Sequence, residues 1–232
     1  MQYSGGKSRI AIPIAEIIND RIQKSGGGGF VSLFCGACSV EKLIDAPYRI
    51  CNDKHPYLIE LWRALQRGWI PPEEVDETLY REVRDNKDID MALTGFIGFG
   101  CSFGGKWFEG YARNKRGDNY AARASKSLLR DVALLKDAEF VCGDYRALTI
   151  PEGAVVYADP PYAGTTGYGE RFDSNAFWDF VRGLSEAHAV YISEENAPDD
   201  FEAVWEQPLR RTLDVNKENN FTRLERLWVW KG

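Results

Sequence analysis

The chain of 232 residues has no long apolar run. No stretch approaches the roughly 18 consecutive apolar residues that a membrane-spanning helix needs. Its first residues, 1–7, contain no apolar core of the kind that a secretory signal peptide carries. We therefore expect a cytoplasmic protein that has no membrane partner. No internal repeat is present, and the length suits one hydrophobic core with a small insertion.

The chain also lacks an excess of positive charge. Its net charge is -6 and its pI is about 5.1, which taken alone argues against a nucleic-acid-binding protein. One segment differs from the rest: residues 106–130 hold seven basic side chains and two acidic ones. Aromatic residues are interleaved with them (Trp107, Phe108, Tyr111 and Tyr120). Such a segment can bind phosphates, or it can be the solvated face of a helix.

Cysteine is present in an odd number, five, which favours free thiols in a reducing compartment. Cys35-x2-Cys38 followed by Cys51-x3-His55 resembles the spacing of zinc ligands. These residues follow strand-like apolar runs that need a core, and no compact finger is evident, so we expect no metal site. A redox role for Cys35-x-x-Cys38 would require an exposed thiol of lowered pKa, which a sequence does not show.

Apolar runs that predict strands alternate with periodic segments that predict helices. Predicted strands cover residues 30–34, 48–52, 139–142, 154–158 and 188–193, and a hairpin is predicted from 209–215 and 224–230. Predicted helices cover residues 8–24, a segment from about 39, 56–67, 72–85, 119–136, 173–186 and 198–205. This alternation indicates an α/β fold with a mostly parallel sheet covered on both faces and a final antiparallel hairpin.

Residues 68–120 interrupt the alternation. They include a stretch rich in glycine and aromatic residues, 95–108, which we interpret as part of an inserted recognition region. The expected organisation is one catalytic domain made of residues 1–67 and 121–232, with residues 68–120 as the insertion.

The strongest motif is Asp159-Pro160-Pro161-Tyr162, which directly follows the apolar run 154–158. It is therefore expected at the carboxyl end of a strand, where open α/β sheets bind ligands. The Asp159 carboxylate and the Pro160 carbonyl can accept the two N–H bonds of an aromatic amine and push its nitrogen toward sp3 geometry. Two successive prolines hold this backbone rigidly. Tyr162 offers a ring on which a base can stack.

Three further motifs are weaker when taken singly. Residues 34–39 form a glycine turn after the first strand, and Gly36 allows a close backbone approach to a ligand. Asp53 ends the next strand, where an acidic residue can bind the hydroxyls of a ribose. The segment Tyr3-Ser4-Gly5-Gly6-Lys7 combines a tight backbone with a cation. The first turn lacks Gly-x-Gly-x-x-Gly, which argues against a nicotinamide dehydrogenase.

Together, these motifs resemble those of the Dam-like, or D12 class, DNA adenine N6-methyltransferases. That family has a Tyr/Trp-x-Gly-Gly/Ser-Lys start, a Phe-x-Gly-x-Gly turn, a DNA-recognition insertion and then Asp-Pro-Pro-Tyr. The same order occurs here, over nearly the whole chain. The resemblance implies a Rossmann-like methyltransferase fold with a seven-stranded sheet, S-adenosylmethionine as cofactor, and DNA as substrate in a bacterial or phage-infected cell.

The resemblance also assigns roles to individual residues. Cofactor contacts are expected from Tyr3, Lys7, Phe34, Cys35, Gly36, Ala37, Asp53, Asp144, Tyr145 and Asp159. Asp144 is expected near the adenine of the cofactor, and 159–162 are expected to take the flipped target base. DNA phosphate contacts are expected from Lys106, Arg113, Lys115, Arg116 and Arg123.

Some positions depart from the family pattern. Ser32 stands where relatives often carry an acidic residue, and Cys38 replaces the second glycine of the turn. Two rival interpretations remain: a methyltransferase that acts on RNA or another amine, and a catalytically inactive DNA-binding relative. A partner restriction endonuclease is compatible with the family, but the sequence does not identify one, nor the DNA site or the oligomeric state.

Overall fold

The computed structural model of the protein describes residues 1–161, 166–167, 170–210 and 222–232. The helices are α1 (Ala11–Lys24), α2 (Pro56–Gln66), α3 (Glu77–Asp85), α4 (Met91–Gly95), α5 (Tyr120–Val132) and α6 (Ser174–Ser185). The strands are β1 (Phe30–Ser32), β2 (Arg49–Asp53), β3 (Ala138–Cys142), β4 (Val155–Ala158), β5 (Thr166–Gly167), β6 (Glu170–Arg171), β7 (Ala189–Glu194), β8 (Phe201–Arg210) and β9 (Thr222–Trp230).

Seven of these strands form one sheet in the order β3-β2-β1-β4-β7-β9-β8. Strands β3, β2, β1, β4 and β7 are parallel, and β9 runs antiparallel between β7 and β8. This confirms the predicted mostly parallel Rossmann-like sheet with a C-terminal antiparallel hairpin. The chain extends from β1 in one direction and from β4 in the other, so the topological switch point lies between β1 and β4. Ligands bind at such a point in open α/β sheets.

Helices cover both faces of the sheet, as a mostly parallel sheet requires. On one face, Ile10 directly before α1 and three isoleucines of α1 at every fourth position, Ile14, Ile18 and Ile22, are buried against β1 and β4. Helices α2 and α5 extend this layer over β2 and β3. On the other face, Phe177 and Val181 of α6 pack on the centre of the sheet. Among the residues that the structure describes, every helix is too short or too polar to span a bilayer.

The helix predicted from about residue 39 is wrong. Only a short 3-10 turn, Glu41–Leu43, forms there. Pro47 lacks an N–H group and disfavours the helical conformation at Ala46, so the segment cannot continue as a helix before β2 begins.

The helix predicted over residues 198–205 is also wrong, because β8 begins at Phe201. Phe201, Trp205 and Leu209 are spaced by four residues, which resembles one face of a helix. In the structure, a register shift between Ala203 and Trp205 changes the outward face of the strand. Phe201 therefore packs on the α6 side, while Trp205 and Leu209 pack on the α1 side. A bulge in an edge strand produced the helical spacing. Of the strand predicted over 209–215, the part beyond 210 lies outside the described residues.

The first part of the glycine-rich stretch of the insertion, residues 95–100, is helical and buried. Helix α4 continues into a π-helical turn, Phe96–Gly100, whose Phe96, Ile97 and Phe99 are buried. These side chains share one hydrophobic cluster with Leu58 and Trp62 of α2. This part of the insertion therefore extends the core of the sheet domain.

Candidate active site

The register of the parallel strands brings the strand ends to one rim. Ser32 of β1 lies beside Cys51 of β2 and Tyr157 of β4, while Asp53 lies beside Cys142 of β3. The residues that follow these strand ends therefore share the same rim. They are Phe34 after β1, Asp53 at the end of β2, Asp144 after β3 and Asp159 after β4.

The first turn is fixed by hydrogen bonds to both neighbouring elements. The Gly36 N–H donates to Asp53 Oδ2 at 3.0 Å, and the Gly36 carbonyl accepts from the Trp62 indole at 3.1 Å. Gly36 has φ of +49°, and a Cβ there would lie 3.0 Å from the Tyr3 ring. Glycine therefore suits this position for conformation and for space. Cys35 and Cys38 are buried, while Ala37 is half-buried.

Asp53 organises the turn from beneath. Its two carboxylate oxygens accept the Gly36 N–H and, at 2.9 Å, the His55 N–H. Burial raises the pKa of Asp53 above its ordinary value, and the backbone hydrogen bonds oppose that shift. A carboxylate oxygen has more than one lone pair, so the two bonds leave Asp53 able to accept from a ligand. Its predicted role at a ribose remains a prediction.

Aromatic rings and an ion pair line the other side of the rim. Phe34 packs against Tyr145 at 5.0 Å between ring centroids and against Phe172 at 6.0 Å. Asp144 forms a two-point pair with Arg146, with Nε–Oδ1 and Nη2–Oδ2 distances of 2.9 and 2.6 Å. The Arg146 guanidinium holds the pKa of Asp144 down at about 2. Asp144 is thus a half-buried carboxylate that is ionised at neutral pH.

Asp159 is paired with a buried cation. Lys7 Nζ lies 2.9 Å from Asp159 Oδ1 and 3.4 Å from Glu225 Oε2 on β9. The side chains of Lys7 and Glu225 are only 4% and 7% exposed, whereas that of Asp159 is 19% exposed. Of the remaining motif, Pro160 is buried and Pro161 is half-buried. Tyr162 lies outside the described residues.

The N-terminal segment reaches the rim because the insertion holds it there. The Ser4 N–H donates to the Gly105 carbonyl at 3.1 Å, and the Tyr3 ring packs on Phe99 at 5.1 Å. The Lys7 carbonyl accepts from Ile10 at the start of α1. Tyr3 thus lies on the glycine turn and Lys7 on Asp159. The predicted contacts of Tyr3 and Lys7 with a cofactor remain predictions.

Glu41 is a buried carboxylate that no sequence motif predicted. It accepts from Ser32 Oγ at 2.7 Å and from the Val40 N–H at 3.2 Å, and it is 2% exposed. Burial raises its pKa to about 7, and the charge of Asp159 adds to the shift. The departure at Ser32 was the available signal, because a buried serine in place of an acidic residue leaves room for a carboxylate from elsewhere.

Glu41→Gln should change how stability depends on pH. The folded-state pKa of Glu41 lies above its unfolded value, so the stability that Glu41 contributes is fully present below pH 4.5 and is lost as the pH rises through 7. The variant lacks this loss. We expect the free energy of unfolding of Glu41→Gln, relative to wild type, to rise by about 3 kcal/mol between pH 4 and pH 8. Urea unfolding at several pH values measures it.

The exposed Glu186→Gln is the control for that prediction, because its pH curve should run parallel to that of the wild type. A Glu41→Gln curve that also ran parallel to the wild type would show that Glu41 titrates at its ordinary pKa.

The residues with the zinc-like spacing are buried in apolar surroundings. Cys35, Cys38 and Cys51 are buried free thiols, and burial raises the pKa of Cys35 and Cys38. His55 caps α2 by accepting the Leu58 N–H at 3.3 Å, and burial lowers its pKa to about 4. Within the part of the chain that the structure describes, no three His, Cys, Asp or Glu side chains are arranged to hold a metal ion.

The five basic residues predicted to contact DNA all lie on the surface. Lys106, Arg113 and Arg123 pair with Glu109, Glu77 and Asp118, respectively. Exposed pairs of this kind contribute about 0–1 kcal/mol, so a phosphate can replace the partner at small cost. Lys115 and Arg116 are exposed in the turn before α5.

A cavity of about 370 Å³ lies next to these basic residues, in the insertion rather than at the rim. Its lining is polar and aromatic and includes Glu74, Tyr111, Arg113, Asn114, Asp118 and Asn119. Much of this lining is already paired: Asn114 donates to Asp118 at 2.6 Å, and Arg123 donates to the same carboxylate at 2.6 Å.

One known family matches this chain. The family model of D12 class N6 adenine-specific DNA methyltransferases matches residues 3–88. This confirms the resemblance from the N-terminal segment through the glycine turn and Asp53 to α3. The Asp159 motif lies outside the matched range. No curated protein matches the chain significantly.

Solved structures share the general fold at low identity. An rRNA methyltransferase, AviRa, from Streptomyces viridochromogenes is 15% identical over 97% of this chain and 86% of its own, with a TM-score of 0.44. A Listeria monocytogenes protein, titled as a candidate class I S-adenosylmethionine-dependent methyltransferase, is 10% identical over 100% of this chain and 61% of its own, with a TM-score of 0.42. These similarities are too distant to support an argument about the substrate.

Proposed function

We propose that this S-adenosylmethionine-dependent methyltransferase transfers a methyl group to the N6 amine of adenine in DNA. One observation carries the proposal. Asp159 follows the buried strand β4 at the topological switch point of the sheet, and Lys7 holds one of its oxygens at 2.9 Å. A carboxylate fixed at this rim, next to a rigid Pro160 carbonyl, is suited to bind a flat amine.

The rim fits the proposed cofactor in charge and in shape. Asp159 and Glu225 contact the ammonium of Lys7, and Glu41 lies close enough to Asp159 for their charges to interact; such a group of carboxylates suits a ligand that carries a sulfonium and an ammonium group. The absence of a side chain at Gly36 lets the Tyr3 ring lie against the turn. When bound, the cofactor supplies an electrophilic methyl group. In the proposal, residues 34–37, Tyr3 and Lys7 contact its methionine part, Asp53 its ribose, and Asp144 with Tyr145 its adenine.

The chain's own groups orient the target amine. Adenine N6 is a poor nucleophile because its lone pair is delocalised into the ring. The Asp159 carboxylate accepts one N–H bond and the Pro160 carbonyl accepts the other, which frees the lone pair for attack. Asp159 orients and polarises the amine and is not a strong base. Fixing two reactants in this way can contribute up to about 7–11 kcal/mol.

The target base must leave the duplex before it can reach the rim. Flipping costs a few kcal/mol, which stacking of the extruded base repays in part. We propose Tyr162 as the stacking ring, and Pro161 as a rigid support between it and Pro160. The insertion 68–120 is proposed as the recognition region, which binds the duplex from which the base is extruded.

The basic surface of the insertion should make DNA binding depend on salt. Each phosphate that a side chain neutralises adds about 0.9 to the slope of log K against log salt concentration. We expect the combined variant Arg113→Gln, Lys115→Gln and Arg116→Gln to lower that slope by about 2–3. Fluorescence anisotropy with a labelled duplex measures it.

The matched control for the salt slope removes two cations from the opposite edge of the sheet. Lys24 ends α1, and Arg67 follows α2, so both lie where the strands begin. Lys24→Gln with Arg67→Gln should leave the slope unchanged. An equal salt slope in wild type and in the combined variant would show that this surface does not contact DNA.

The proposed reaction is tested directly with labelled S-adenosylmethionine and matched DNA and RNA oligonucleotides. The expected product is N6-methyladenine in DNA alone, identified by mass spectrometry of the digested nucleosides. Methylated RNA, or methyl groups on another amine, would replace the proposal with its rival. Binding of DNA without binding of the cofactor would indicate an inactive relative.

A further inference from the structure

Glu225 is a buried carboxylate on β9 that no motif predicted. Its side chain lies on the same face of the strand as Leu227, which packs in the α1 layer. It is 5% exposed, and its Oε2 lies 3.4 Å from Lys7 Nζ. The same ammonium contacts Asp159 Oδ1 at 2.9 Å. Lys7 is therefore shared between a carboxylate at the rim and a carboxylate within the sheet.

We propose that Glu225 is a positioning residue, which acts through Lys7 to hold Asp159 in the orientation that the methyl transfer needs. The proposal rests on the proposed function. Glu225 anchors the ammonium from a strand, and the same ammonium contacts Oδ1 of Asp159 at 2.9 Å. A carboxylate has several lone pairs, so Asp159 can accept an N–H of the target amine in addition to the lysine.

The burial of Lys7 and Glu225 explains why the arrangement is rigid. Lys7 and Glu225 are almost fully excluded from water, and leaving either charge unpaired would be costly. Glu225 lies opposite Gln207 of β8, one residue before the part of β9 that also pairs with β7. A residue on a paired strand holds its position more precisely than one on a loop. Lys7 follows a pair of glycines, whose backbone is conformationally permissive, so its position depends on these partners.

Sharing of the Lys7 ammonium also affects how strongly Asp159 accepts a hydrogen bond. The charged groups that face Asp159 include Lys7 and Glu225, and Glu41 from the turn after β1. With Glu225 present, the positive charge of Lys7 is divided between two carboxylates. Without it, more of that charge acts on Asp159, which becomes a weaker acceptor and is drawn toward the lysine.

Glu225→Gln tests the proposal, because it keeps the shape of the side chain and removes its charge. We expect kcat to fall roughly 10- to 100-fold, as for a small misplacement of a reacting group. The KM values for DNA and S-adenosylmethionine should change less than about threefold. The acidic limb of the kcat profile should move to lower pH, because a negative neighbour of Asp159 has been removed. A merely structural role would not lower kcat without raising KM, and it would not move the acidic limb of the kcat profile.

The matched control is Glu206→Gln on the neighbouring strand. Glu206 pairs with Arg226 at the surface, at 3.3 Å, and its side chain is 59% exposed. We expect its kcat and pH profile to equal those of the wild type. Should Glu225→Gln fail to fold, Glu225→Asp replaces it. That variant keeps the charge but withdraws it by one carbon, so a smaller loss of kcat with a smaller movement of the acidic limb is expected.

A second measurement separates this proposal from the proposed function. The carboxyl carbon of Asp159 is titrated by carbon-13 NMR without DNA and assigned with Asp159→Asn. Glu225→Gln should lower the midpoint. A lowered midpoint in an enzyme that methylates no adenine would refute the reaction and leave the coupling intact. Wild-type kcat, pH profile and midpoint in Glu225→Gln would overturn the positioning role alone.

Discussion

Asp159→Ala is expected to reduce methyl transfer to adenine at least 10²–10³-fold at saturating cofactor. In the proposal, the Asp159 carboxylate stabilises the transition state, in which positive charge develops on the amine nitrogen. Removing one preorganised hydrogen-bonding group of this kind costs about 2.7–4 kcal/mol. Single-turnover rates with labelled cofactor measure the chemical step separately from product release.

Two variants complete the Asp159 test. Asp159→Asn keeps the shape and one acceptor oxygen, so its loss should be smaller than that of alanine. Asp179→Ala removes a surface carboxylate of α6 that pairs with Arg182, and its side chain is 78% exposed. Its rate should equal that of the wild type. Near-normal turnover in Asp159→Ala would refute the assigned role and, with it, the proposed reaction geometry.

Gly95→Ala should destabilise the protein by about 3 kcal/mol, at the upper end of the usual cost of overpacking. A Cβ at Gly95 would lie 2.2 Å from the Tyr57 carbonyl oxygen, which is backbone of α2 and cannot rotate away. Helix α4 would have to move from α2, and buried Phe96 and Ile97 would move with it. Denaturant unfolding measures the change in free energy.

Gly183→Ala is the matched control for Gly95, with an expected effect of opposite sign. Gly183 lies in α6 and is exposed, and a Cβ added there would meet no atom of a neighbouring element within 4 Å. Alanine there should stabilise the protein by roughly 0.5–1 kcal/mol, because glycine loses more conformational freedom in a helix. A loss at Gly95 no larger than about 0.5 kcal/mol would show that α4 does not pack tightly against α2.

The periodic elements were predictable because each one buries a regular apolar pattern. Ile10, Ile14, Ile18 and Ile22 indicate the helix that covers the sheet, and the run 154–158 indicates its central strand. The irregular elements lack such a regular pattern, so they were not predictable. Phe201 and Trp205 imitate the spacing of a helix because a bulge separates them, and a bulge depends on the partner strand.

The candidate site divides in the same way. Asp159, Asp53 and the turn at Gly36 follow strand ends, and parallel strands bring their carboxyl ends to one rim, so sequence was sufficient to group them. Glu41 and Glu225 belong to no motif. Their roles depend on which buried atoms they meet, Ser32 Oγ and Lys7 Nζ, and such contacts form between segments distant in the chain.

By itself, the sequence determined the class of fold, the strand ends at which the proposed site lies and the resemblance to D12 class methyltransferases. Those features follow from local patterns, which record whether a residue faces the core or ends a strand. Only the tertiary structure decided that Lys7 lies between Asp159 and Glu225, and that Gly95, Gly98 and Gly100 of the insertion belong to a packed helix. A buried charge or a close backbone approach is defined by its neighbours in space, and these come from remote parts of the chain.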